Sequence, residues 1–111
     1  MHELATTQSL VQICTEAAAR EGFKKVKEIR LHIGAYSGIE PNYLREFFPY
    51  VSKDTVCEDA ELVCEMVPGT LRCNDCGYEG QAGKIYECPR CGGSIRLISG
   101  REFFVDSLAV E

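Results

Sequence analysis

Two Cys-x-x-Cys units restrict what this chain can fold into more than any other feature. They read Cys73-Asn74-Asp75-Cys76-Gly77 and, with eleven residues (77–87) between the inner cysteines, Cys88-Pro89-Arg90-Cys91-Gly92. A two-residue spacing lets both sulfurs of a unit converge on one ion at about 2.3 Å, and two such units complete a tetrahedron. The glycine after each second cysteine permits the positive φ that turns backbone amides toward the sulfurs. Zinc suits four soft thiolates and adds no redox chemistry of its own, with iron on the same sulfurs as the alternative. Four thiolates leave no position for water, so the expected zinc is structural rather than catalytic. A thioredoxin-type redox pair would set one such unit at a helix start, which a double knuckle does not fit.

The stretch around the knuckles differs in composition from the rest. Residues 68–100 hold most of the glycines, both units and few bulky aliphatics, and read as an inserted zinc-ribbon module. At 111 residues the chain can bury one core, whereas a segment of this length alone needs a metal or disulfides to stay folded. Residues 1–67 with 101–111 are expected to form the other unit, an α+β domain.

Its elements follow from periodicity. Leu4, Val11, Cys14 and Ala18, with Leu10, Ile13 and Ala17 beside them, form a helical stripe that Gly22 stops. Residues 26–33 alternate, with Ile29, Leu31 and Ile33 on one face and Glu28, Arg30 and His32 on the solvent face. Pro41 suits the first position of a second helix carrying Leu44, Phe47, Phe48 and Val51, with a kink or break at Pro49. Residues 61–67 place Leu62, Cys64 and Met66 on one face. The run 101–110 keeps Phe103, Val105, Leu108 and Val110 together only if a bulge falls near Asp106-Ser107. Two helices and about three strands, plus the ribbon, make the expected fold class α+β.

Composition excludes several classes of function. The net charge of −5 gives no footprint for nucleic acid or an anionic membrane. In 68–100, four basic residues stand against three acidic ones, and a zinc tetrathiolate makes the balance negative, a poor phosphate surface. The N-terminus lacks a basic start followed by an apolar run, so a cytoplasmic location is expected. In that reducing setting seven cysteines favour metal ligation over disulfides. Cys14 and Cys64 lie on apolar faces as small core residues, and Cys57 falls in a loop with no assigned role. No nucleophile motif, phosphate loop or open zinc site with a nearby base marks an enzyme.

The opening Met1-His2-Glu3 has chemistry of its own. The His2 imidazole and the His2 backbone nitrogen close a six-membered chelate ring, and either the Met1 amine or the Glu3 amide adds a five-membered one. Nitrogen donors in a plane suit Ni²⁺ or Cu²⁺. Affinity for such an ion falls as the imidazole protonates.

The chain resembles the HypA/HybF family of hydrogenase maturation nickel chaperones almost end to end. The resemblance rests on Met1-His2-Glu3-Leu4 with Gln8-Ser9, Ile33-Gly34, Ser37-Gly38-Ile39-Glu40-Pro41, Val67-Pro68-Gly69, both knuckles, and Ser99-Gly100-Arg101-Glu102. It implies that His2 is the essential nickel ligand, that Glu3 contributes its backbone or side chain, and that Cys73, Cys76, Cys88 and Cys91 bind zinc. It assigns Glu40 a minor place near nickel. The implied partners are the nickel-handling GTPase of the pathway, the large subunit of a [NiFe] hydrogenase and, in some organisms, urease maturation proteins. Some members add a nickel-binding histidine from the zinc module; here the only histidines are His2 and His32. The competing reading is a zinc-ribbon adaptor for nucleic acid or protein with no use for nickel.

Overall fold

In the computed structural model, which describes residues 2–83 and 85–111, the chain runs α1 (Glu3–Glu21), β1 (Val26–Gly34), α2 (Pro41–Val51), β2 (Glu61–Val67), β3 (Thr70–Cys73), β4 (Glu79–Gln81), β5 (Ile95–Ser99) and β6 (Phe103–Val110). The strands form two three-stranded sheets, β2-β1-β6 and β4-β3-β5. The fold is the expected α+β arrangement of two helices and a small sheet with an inserted ribbon. The three short strands of the ribbon carried no alternation strong enough to be read in advance.

β1 is the central strand of the first sheet. It pairs in parallel with β2 through the α2 crossover and antiparallel with β6. Ile29, Leu31 and Ile33 point under the helices, where they pack with Leu10, Val11 and Cys14 of α1, Leu44 and Phe48 of α2, Cys57 and Leu62. Strict alternation would place Lys27 in this core. A register shift between Val26 and Glu28 avoids that, so Val26 is buried and Lys27 exposed. The bulge expected near Asp106-Ser107 is present: Arg30 pairs with Ser107 and Leu31 with Val105, which leaves Asp106 as the extra residue.

Three expectations need correction. Leu4, Ile13, Met66 and Val110, read as part of the apolar faces, are exposed. Pro49 does not break α2. Its missing N–H would have reached the Arg45 carbonyl in the last turn, and the helix ends two residues on, with the Ser52 amide bonded to Phe48 O at 2.9 Å. His32 does not stand in water. Its ring stacks on Phe104 with centroids 4.3 Å apart, and Nε2 is buried with no hydrogen-bond partner among the described residues. The cross-strand pair His32–Phe104 supplies a neighbour that the sequence of β1 alone could not reveal.

The ribbon leaves the first sheet and rejoins it at one place. The amides of Gly34, Ala35 and Tyr36 bond to the carbonyls of Glu102, Val67 and Gly100 at 2.7, 2.8 and 2.7 Å, so the end of β1 holds both strands of the connection. The backbones approach closely here: a Cβ on Gly34 would lie 2.3 Å from Gly100 O. Projection of the ribbon makes the molecule long, 55 × 26 × 17 Å with a radius of gyration of 17.7 Å, against about 13 Å for a compact chain of this length.

Candidate metal centres

The two knuckles are built alike. In the first, the Asp75 and Cys76 amides each donate to Cys73 Sγ at 3.4 Å. In the second, the Arg90 and Cys91 amides each donate to Cys88 Sγ at 3.4 Å. Gly77 and Gly92, at φ 77° and 74°, close the turns with amides bonded to Cys73 O and Cys88 O. These are backbone conformations a side chain would strain.

The knuckles bring the sulfurs of Cys73, Cys76, Cys88 and Cys91 within 4.8 Å of one another. Cys73 Sγ lies 3.5 Å from Cys91 Sγ, and Cys76 Sγ lies 3.6 Å from Cys88 Sγ. A tetrahedral ion with sulfur bonds of about 2.3 Å needs sulfurs about 3.8 Å apart, so the donors fit such an ion. They are too far apart for a disulfide, whose bond is about 2.05 Å.

The surroundings favour thiolate at Cys73 and Cys76, whereas the thiol of Cys91, despite the Gly93 amide beside it, is pushed up to about 12 by the sulfurs of Cys73 and Cys76. The Tyr78 amide, then the Arg90 guanidinium, hold the Cys76 thiol down to about 6. The Cys76 and Asp75 amides lower that of Cys73. Arg90 also donates to Cys76 O at 2.9 Å and stands 5.8 Å over the Tyr78 ring, tying the second knuckle to the first. Chemically, this is a closed soft-donor cage with no vacancy for a substrate.

At the opposite end of the sequence, His2 is the N-cap of α1 and is exposed, and its side chain makes no capping bond. The helix ladder starts with the Thr6 amide on His2 O at 2.8 Å, so it does not call on the His2 amide. Glu3 is buried, and its Oε2 accepts from the Glu40 amide at 3.1 Å. That bond is the first-ranked reason its carboxyl lies below the usual range. Glu40 is in turn the N-cap of α2, its Oε1 accepting from the Asn42 amide at 3.3 Å. The starts of both helices therefore meet. The Met1 amine, one of the two candidate donors for the second chelate ring, lies outside the described residues.

The sequence does not pair Cys14 with Cys57, yet both are fully buried in the same core cluster. The neighbouring Cys57 thiol, followed by burial, pushes the Cys14 thiol up. No spacing rule links a helix position to a loop position forty-three residues later.

The fold and the four-sulfur cage define a class: small α+β proteins with an inserted ribbon whose four cysteines can hold a metal ion. The family model for HypA, described as hydrogenase/urease nickel incorporation metallochaperone, matches residues 1–110. The chain is 40% identical over its full length, and that of the relative, to the hydrogenase maturation factor HypA of Geobacter metallireducens. It is 38% identical, again over the whole of both chains, to that of Caldanaerobacter subterraneus subsp. tengcongensis. The solution structure of the Ni metallochaperone HypA from Helicobacter pylori superposes with a TM-score of 0.73 at 24% identity, covering 99% of this chain and 97% of that one, and so shares the fold. The chain belongs to the HypA family of metallochaperones of hydrogenase maturation. Among the described residues, no helix is long and apolar enough to cross a membrane.

Proposed function

We propose that this chain carries one Ni²⁺ at its N-terminus and passes it by ligand exchange to the GTPase of the maturation pathway, and through it to the large subunit of a [NiFe] hydrogenase. The observation that carries this reading is the state of His2: exposed, at the mouth of α1, with an imidazole spent on no capping bond. Imidazole and peptide nitrogens arranged in a plane suit a d⁸ cation. A shell open to solvent lets incoming donors attack before the old ones leave. Glu3 serves nickel through its backbone, because its carboxylate is engaged with the Glu40 amide.

In the same reading Cys73, Cys76, Cys88 and Cys91 hold a structural Zn²⁺, supported by the spacing of their sulfurs and the amides aimed at them. Bound zinc would supply folding free energy to residues 68–100, a module separate from the nickel-binding unit of 1–67 with 101–111.

The test is nickel titration with zinc analysis of the untagged protein, the His2→Ala variant and a version extended before Met1. Wild type should take up one Ni²⁺ beside one zinc, and both altered forms should keep zinc and lose nickel. Tight nickel binding by either altered form overturns the terminal site.

A further inference from the structure

The second helix carries two apolar stripes. The inner one, Leu44 and Phe48 with Val51, faces the core. The outer one repeats at i, i+4 and i+7: Tyr43, Phe47 and Tyr50. Tyr43 is 50% exposed, Tyr50 83% and Leu4 of α1 47%. Glu3, Leu4, Tyr43 and Phe47 line a cleft of about 350 Å³ between the starts of the two helices. A surface helix with no partner gains nothing from a second aromatic stripe. Rigid amphipathic tyrosines on a contiguous apolar patch are the usual anchors of a protein interface.

The position of the cleft narrows the choice of occupant. One wall is Glu3, the residue after His2, so whatever fills the cleft stands beside the cargo. Ligand exchange needs an acceptor donor within bonding distance of nickel while His2 still holds it. An acceptor chain seated over Leu4 and Tyr43 is placed to supply it. The rim is acidic: Glu40 at the start of α2 and Glu46, which helical spacing sets three residues after Tyr43 and four before Tyr50, are both exposed.

We infer that the cleft of Leu4, Tyr43 and Phe47, extended by Tyr50, is the docking surface for the nickel-accepting protein, which inserts a large apolar side chain flanked by a basic residue and brings a thiolate or imidazole donor to His2. This rests on the nickel-carrier reading and adds where the acceptor binds and what it must present. Charge opposite Glu46 speeds and orients the encounter, and the apolar anchor holds it.

The test uses the full zinc-loaded chain, isotopically labelled, titrated with the purified pathway GTPase. Amide resonances of Leu4, Tyr43, Glu46, Phe47 and Tyr50 should move together. Tyr43→Ser combined with Tyr50→Ser should weaken binding at least tenfold. Glu46→Lys, which alters no packing, should slow association at low salt and lose that effect at high salt. Both variants should bind one nickel and release it to a small chelator at the wild-type rate. Perturbations confined to the ribbon, or none, overturn the docking surface. So does a stripe whose resonances shift with the chain's own concentration, since a second copy would then cover it. A wild type that binds no nickel at His2 fails the carrier reading instead, while the resonance map still judges the surface.

Discussion

The carboxylate of Glu3 accepts the amide of Glu40 at 3.1 Å, so the side chain next to the proposed nickel ligand joins the starts of α1 and α2. This bond lowers the carboxyl's proton affinity in the folded state. A depressed folded value contributes stability above the unfolded value of about 4.3, and that contribution is lost as pH falls through the folded value. Glu3→Ala should therefore lower the urea midpoint at neutral pH more than Glu3→Gln, which keeps an acceptor oxygen. The gap between wild type and Glu3→Gln should close in acid. Equal midpoints for all three at neutral pH would show the bond contributes nothing.

Removing the ion from the four sulfurs, by chelation or by Cys88→Ser, should unravel β3, β4 and β5 and leave α1 and α2 helical. Among the described residues of 68–100, none belongs to the hydrophobic core of the first sheet. Structural zinc binding is worth about 10–16 kcal/mol in small finger peptides, far more than a segment of this size gains from its own packing. Circular dichroism with amide exchange on the chelated protein separates the outcomes, and collapse of the helical signal would contradict this.

Gly34→Ala should destabilise by about 3 kcal/mol, at the upper end of ordinary overpacking. The new methyl would meet Gly100 O at 2.3 Å, and backbone on both sides has little room to give. Gly83, with open space around its Cβ position, is the control, and Gly83→Ala should stay within about 0.5 kcal/mol of wild type. Urea unfolding measures both.

Alkylation should sort the cysteines by environment. In the metal-loaded native protein, Cys64 should react slowly and alone, because it is half-buried and burial raises its thiol. Cys14 and Cys57 should resist until the core opens, and the knuckle sulfurs until the ion leaves. Mass spectrometry of the modified protein gives the order directly. Early loss of Cys57 would mean the loop holding it opens in the native state.

Local chemistry was the legible part of this chain. The knuckles, Gly22 as helix stop, the central strand and the bulge at Asp106 all follow from patterns within a dozen residues. His32 on Phe104, Cys14 on Cys57 and Glu3 on Glu40 join residues tens of positions apart, and no local period encodes such meetings. The break expected at Pro49 is absent for another reason: its cost depends on how many turns follow it, and here the helix was already ending. At the candidate metal sites, the gathering of the four cysteines was legible from spacing, whereas the meeting of both helix starts beside His2 emerged only from the fold.

The ribbon's two ends are fastened side by side to the tip of β1, through the carbonyls of Val67, Gly100 and Glu102. Until residues 70–99 fold, β6 must find β1 across a long untethered loop, and distant pairings of that kind are slow. Once an ion gathers the sulfurs, the same stretch behaves as a tight bend that delivers β6 to its neighbour. On the proposed zinc reading, supply of the ion would set the tempo of that last pairing, and a nascent chain without it would leave one flank of β1 bare.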